Sequence, residues 1–131
     1  RMFDWKKPTV QMLGRWQPWH DGHTELFKRA HKKTGQVCIM YRDVEGVDAG
    51  IEGQGDNPFG FTKVKARIIE GLKKHNFNEN IDFVIIKVPN IIDISYGRGV
   101  GYTFTEHDLG EKIHKISATK IRKEMRIKKE L

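Results

Sequence analysis

Cysteine, proline and long apolar runs are scarce in this chain of 131 residues, which has one cysteine and four prolines. The lone Cys38 sits within Gln36-Val37-Cys38-Ile39-Met40 and has no partner for an internal disulfide. A staple-held secreted scaffold is therefore excluded, and a reducing, cytoplasmic setting is expected. No stretch approaches the roughly 20 apolar residues of a spanning helix, so no membrane is expected as a partner. Nothing in Arg1-Met2-Phe3-Asp4-Trp5-Lys6-Lys7 reads as a signal peptide. Two nucleotide fingerprints are also missing. There is no G-x-x-x-x-G-K-[ST], and Gly97, Gly99 and Gly101 miss G-x-G-x-x-G because position 102 is Tyr. Acid is short relative to base: 17 Asp and Glu stand against 24 Lys and Arg, a formal charge of +7 that calls for an anionic partner. The excess is concentrated at the end, where Lys112 to Leu131 holds eight cations and two glutamates.

What is present centres on Gly14-Arg15-Trp16-Gln17-Pro18-Trp19-His20-Asp21-Gly22-His23. The apolar run Thr9-Val10-Gln11-Met12-Leu13 before it reads as a buried strand, and Thr24 to Ala30 after it reads as a helix start. Strand, tight loop and helix N-terminus form a place where backbone N–H groups and the helix dipole favour a phosphate. Gly14 lets the chain turn off the strand, Gly22 admits a ligand close to the backbone, and Pro18 stiffens the loop. His20 and His23 flank Gly22 with ring nitrogens able to donate to phosphate oxygens. A zinc pair is the competing reading, but His31, Asp43 and Glu45 offer no metal-ligand spacing to complete it.

Further along, Leu26, Phe27 and Ala30 give one apolar helical face, and Gly35 is a stop signal. Gln36–Met40 is a second strand, so a right-handed parallel βαβ unit is expected. Asp43 to Gly60, with five glycines, reads as a mobile loop at the carboxyl end of that strand. Thr62 is the expected N-cap of a helix carrying Val64, Ile68, Ile69 and Leu72 inward. Asp82–Val88 is a third strand, a fourth is expected around Ile91–Ser95, and a short one through Lys112–Ile116. Tyr96–Thr105 reads as irregular. The last helix starts near Thr119 and turns Ile121 and Met125 inward.

The Gly14–His23 run resembles the G-x-F-x-P-x-H-x-G-H form of the HIGH signature of the nucleotidylyltransferase superfamily. Ile116-Ser117-Ala118-Thr119-Lys120-Ile121-Arg122 resembles that superfamily's second signature, I-S-x-T-x-I-R. Two signatures in order at opposite ends of a short chain are more specific than either alone. The resemblance is greatest to archaeal-type nicotinamide mononucleotide adenylyltransferases and small cytidylyltransferases such as the glycerol-3-phosphate enzyme. It implies an α/β, Rossmann-like, doubly wound single domain over 8–131, with about five parallel strands, helices on both faces and 1–7 as a lead-in.

The resemblance also implies a reaction: transfer of a nucleotidyl group from a nucleoside triphosphate to a phosphorylated small molecule, releasing pyrophosphate. CTP is slightly favoured over ATP because no nicotinamide-site insertion is evident. The adenylyl alternative stands on the G-R-x-Q-P opening. His20, His23, Lys120 and Arg122 are the expected catalytic residues. Gly14, Arg15, Trp16, Gln17, Gly22, Ser117, Ala118 and Thr119 are the expected nucleotide and phosphate contacts. Arg15 could equally serve a structural ion pair, and Trp16 and Trp19 are read as packing residues. Arg67, Arg98 and Lys63 are candidates for the acceptor, with Arg98 or Tyr102 near the base or acceptor. Mg²⁺ is expected with the triphosphate, held by phosphate and water, with no metal ligands from the protein. Nucleic acid is not the expected partner, and a homodimer is left open. A basic nucleic-acid-binding module that has lost the chemistry is the rival from another class.

Overall fold

The computed structural model describes residues 2–45, 57–99, 101–110 and 118–128, with only the backbone of 118–120. In order these hold β1 (Val10–Gly14), α1 (Asp21–Thr34), β2 (Val37–Arg42), α2 (Phe61–Lys73), β3 (Phe83–Val88) and α3 (Ala118–Ile127). The strands form one parallel sheet in the order β1-β2-β3, with Val10 opposite Val37 and Val37 opposite Phe83. Two successive right-handed crossovers in the same direction put α1 and α2 on the same face of the sheet, where they touch each other.

The strand pattern explains which face carries the core. Val37, Ile39 and Tyr41 are buried while Cys38, Met40 and Arg42 between them are only half-buried. Met12, Phe83 and Ile85 continue that inner face across the sheet, and Phe27, Ala30, Val64, Ile68 and Leu72 come down on it from the two helices. Trp19 links the helices. Its ring lies against the Cα of Gly71, where a methyl group would stand 3.2 Å from it. Gly35 ends α1 with φ 82°, a left-handed cap whose N–H donates to the His31 carbonyl. Residues near the start are bonded to the domain, since Phe3 N–H donates to Asn80 O and Gln36 holds Asp4 from both sides.

Several expectations change. The sheet has three strands among the described residues where about five are expected, and α1 and α2 share one face of it where a doubly wound sheet carries helices on both. Ile91–Ser95 forms none: Ile91 N–H folds back to the Pro89 carbonyl in a tight turn, and Ser95 donates locally to Asp93. Lys112–Ile116 lies outside the described residues, as does the part of the expected Asp43–Gly60 loop from 46 to 56. Finally, α2 is capped by Gly60, two residues ahead of Thr62. The Gly60 carbonyl already accepts from Val64 N–H, and Phe61 packs its ring on Tyr41. Among the described residues no helix is long and apolar enough to cross a membrane.

Candidate active site

The loop between β1 and α1 is built by its own aromatic and amide groups. Trp16 takes φ 52°, unusual for a residue with a Cβ, and its ring lies over Gly14 so closely that a methyl there would sit 2.7 Å away. The Trp16 indole N–H donates to the Met40 carbonyl at 3.1 Å, anchoring the loop to β2. The Gln17–Pro18 bond is cis. The Trp19 indole N–H donates to Thr24 Oγ1 inside α1. Trp16 and Trp19 thus have the packing role expected of them, and both rings also line His23, at 4.8 and 5.3 Å between centroids.

The two histidines replace the usual hydroxyl and carboxylate of a helix capping box. Gly22 N–H donates to His20 Nδ1 at 3.0 Å, and His20 N–H donates to His23 Nδ1 at 3.1 Å. The rings stack at 3.7 Å. A nitrogen that accepts carries a lone pair, so each neutral ring bears its proton on Nε2. The Gly22 N–H is thus taken up by the His20 ring. Its polarity is passed through the imidazole, which presents an Nε2–H donor instead. Burial lowers the pKa of both rings. Asp21 works against this at His20, whereas the His20 ring adds to burial at His23, which falls to about 3. Both are neutral donors near pH 7.

Arg122 arrives from the opposite end of the chain. It is 3% exposed, and its Nη1 donates to the Gln17 carbonyl at 2.6 Å across 105 positions of sequence. The approach is set by α3, whose Met125 is buried in the core and whose Ile121 packs against it. Gly14, Arg15, Trp16, Gln17, His23 and Arg122 together line a cavity of about 140 Å³, room for a phosphate group rather than a whole nucleotide. A larger groove of about 460 Å³ runs outside α1 between Lys28, Arg29, Lys32, Glu25, His31 and Phe77, with none of the signature residues in it. His31 pairs there with Asp82, and Lys28 with Glu25.

The remaining candidates divide. Arg15 Nη1 donates to Asn57 Oδ1 at 3.2 Å, a structural bond to the stretch leading into α2, and Arg15 also lines the cavity. Gln17 is 2% exposed, with its amide spent on Phe59: Nε2 donates to Phe59 O at 2.9 Å and Phe59 N–H donates to Oε1 at 2.8 Å. Tyr41 O–H also donates to that carbonyl. Lys63 and Arg67 both stand over the Phe59 ring, at 5.2 and 5.6 Å. Arg98 lies in the exposed run 92–99 and Tyr102 is 70% exposed; no described contact joins either to the histidine loop. Ser117 is outside the described residues, and Ala118, Thr119 and Lys120 are described only as the first turn of α3. Sequence reasoning missed Asn57, Phe59 and Tyr41. Asn57-Pro58-Phe59 was legible as a turn, but nothing local marks it as the partner of Gln17. No group of three or more His, Cys, Asp or Glu able to hold a metal occurs among the described residues.

No family model matches the chain, and no solved structure matches it significantly. Among curated proteins it is similar to the nicotinamide-nucleotide adenylyltransferase of Methanococcus aeolicus, with 33% identity over 67 residues. That span is 50% of this chain and 36% of the relative, so the match covers about a third of the relative's length. Over about half its length this chain, which folds on a parallel α/β sheet, is similar to part of an archaeal nicotinamide-nucleotide adenylyltransferase.

Proposed function

We propose that this protein transfers a nucleotidyl group from a nucleoside triphosphate to a phosphorylated small molecule. An oxygen of the acceptor's phosphate attacks the α-phosphorus in line, the bond to the β-phosphate oxygen breaks, and pyrophosphate leaves with the electron pair. No covalent intermediate on the protein is required, so catalysis is positioning plus stabilisation of charge developing on the phosphate oxygens. The observation that carries the reading is the meeting of His23 and Arg122 at one cavity, from signatures about a hundred residues apart.

In this reading the two Nε2–H groups donate to the α-phosphate region. The Arg122 guanidinium, with Lys120 and the Ser117 and Thr119 hydroxyls, holds the rest of the triphosphate. Neutral imidazoles suit the role, because they donate without losing a proton and remain donors over the whole neutral range. Magnesium accompanies the triphosphate, bound by phosphate oxygens and water, and offsets its charge. Arg67 and Lys63 meet the acceptor, with Arg98 a further candidate.

The similarity to an enzyme named for adenylyl transfer favours ATP as donor over the CTP to which the sequence tilts. The test is direct. The protein is incubated with each of the four nucleoside triphosphates, Mg²⁺ and a panel of phosphomonoesters including nicotinamide mononucleotide, and pyrophosphate is measured. Pyrophosphate with ATP or CTP that depends on the acceptor is the expected result. No turnover, with oligonucleotide binding that weakens steeply as salt rises, would replace the enzyme by the nucleic-acid module.

A further inference from the structure

Gln17 is 2% exposed, and its hydrogen bonds run to two distant parts of the chain. Its side-chain amide pairs with both the N–H and the carbonyl of Phe59, as a neighbouring strand would. Its own carbonyl accepts from Arg122. One buried residue thus ties the imidazole loop to α3 on one side and to the entry of α2 on the other. What it holds at that entry matters, because the Phe59 ring is the platform under Lys63 and Arg67. Among the described residues, the hydrogen bonds that reach the Phe59 backbone come from Gln17 and Tyr41.

We propose that Gln17 is a positioning residue: its side-chain amide, spent on Phe59 and not on substrate, fixes the Phe59 platform and the Lys63 and Arg67 cations in register with the histidine loop. The inference rests on the reading above, in which those two cations meet the acceptor. Gln17→Met keeps the length and apolar volume of the side chain and removes both bonds to Phe59. It should raise the KM for the phosphomonoester about tenfold, the scale of one or two lost net hydrogen bonds. The KM for the triphosphate should stay within about twofold, since the Gln17 carbonyl is untouched. Tyr41→Phe, which removes one bond, should move the same constant in the same direction by less, and serves if Gln17→Met does not fold.

A mutant cycle separates positioning from general loosening. With Lys63→Met and Arg67→Met both already present, Gln17→Met should add little to the acceptor KM, because the groups it places are gone. Additive effects, or equal rises in both KM values, would overturn the proposal. Hydrogen exchange reads the clamp without turnover. The Phe59 amide should exchange at least about tenfold faster in Gln17→Met, while the amides of α1 keep their protection. Unchanged exchange at Phe59 sinks the clamp even in an active enzyme. An inactive wild-type protein with faster Phe59 exchange in the variant sinks the transferase reading alone.

Discussion

Residues 14–23 and residues 91–104 have similar raw material: glycines, aromatic rings and an arginine each. In the first, Trp16, Gln17, Pro18 and Trp19 are all buried, and each indole N–H and the glutamine amide has a named acceptor or donor. In the second, Ile92 is 87% exposed, and Ile94, Tyr96, Tyr102 and Phe104 are exposed as well. The difference is polar satisfaction. The first loop can be buried because its amides and indoles find partners on β2, α1 and the Phe59 stretch. In the second, Ile91 N–H turns back to the Pro89 carbonyl, Ser95 donates to Asp93, and the Ile91 carbonyl takes a long bond of 3.4 Å from Arg42 Nη1, so its tie to the sheet is at its first residue.

The contrast can be broken most forcefully at His23. His23→Ala should lower pyrophosphate release by about two to three powers of ten, the usual scale for one lost donor at a developing oxyanion. Far-UV circular dichroism should show the helices retained; a near-normal rate would remove His23 from the mechanism. Next is Gly14→Ala, which forces a methyl against the Trp16 ring and should cost about 1–3 kcal/mol, read as a lower Tm. An unchanged Tm would mean the loop is looser than its contacts imply.

Smaller again is an acid effect. Both histidines have folded-state pKa values below the ordinary value of 6.5, that of His23 about 3. The unfolded rings take up protons that the folded rings exclude, so the stability they contribute is complete above pH 6.5 and is lost as pH falls from there toward 3. Tm measured from pH 7.5 to 4.5 should decline over that window, and more shallowly in His23→Asn. A flat profile in the native protein would contradict the buried, neutral pair. The smallest effect belongs to the other region: Ile92→Ser should change stability by less than about 0.5 kcal/mol, because its side chain already faces water.

The βαβ unit was legible because its signals are local. Val37, Ile39 and Tyr41 alternate, Phe27 and Ala30 share a helical face, and Gly35 takes the left-handed cap. The encounter of Arg122 with the first loop was foreseeable only because two signatures named both ends; no periodicity links position 122 to position 17. The strand at Ile91–Ser95 was misjudged because an apolar, alternating stretch states only that a strand could form there. Whether it does depends on an available sheet edge and on the competing turn at Pro89. The Gln17–Phe59 pairing was invisible for a related reason, since side chain meeting main chain across 42 positions leaves no pattern along the chain.

One consequence of the histidine capping box bears on how inactive variants should be interpreted. The Nδ1 atoms fasten the start of α1 while the Nε2 protons are left for the proposed chemistry, so in that reading each ring serves the scaffold and the catalyst at once. Alanine at either position removes both contributions, and a lower melting point in such a variant is no sign of a misfolded sample. Asparagine at His20, which can still accept from Gly22 N–H but has no second ring nitrogen, would divide the two. It should leave the helix start fastened and the catalyst silent.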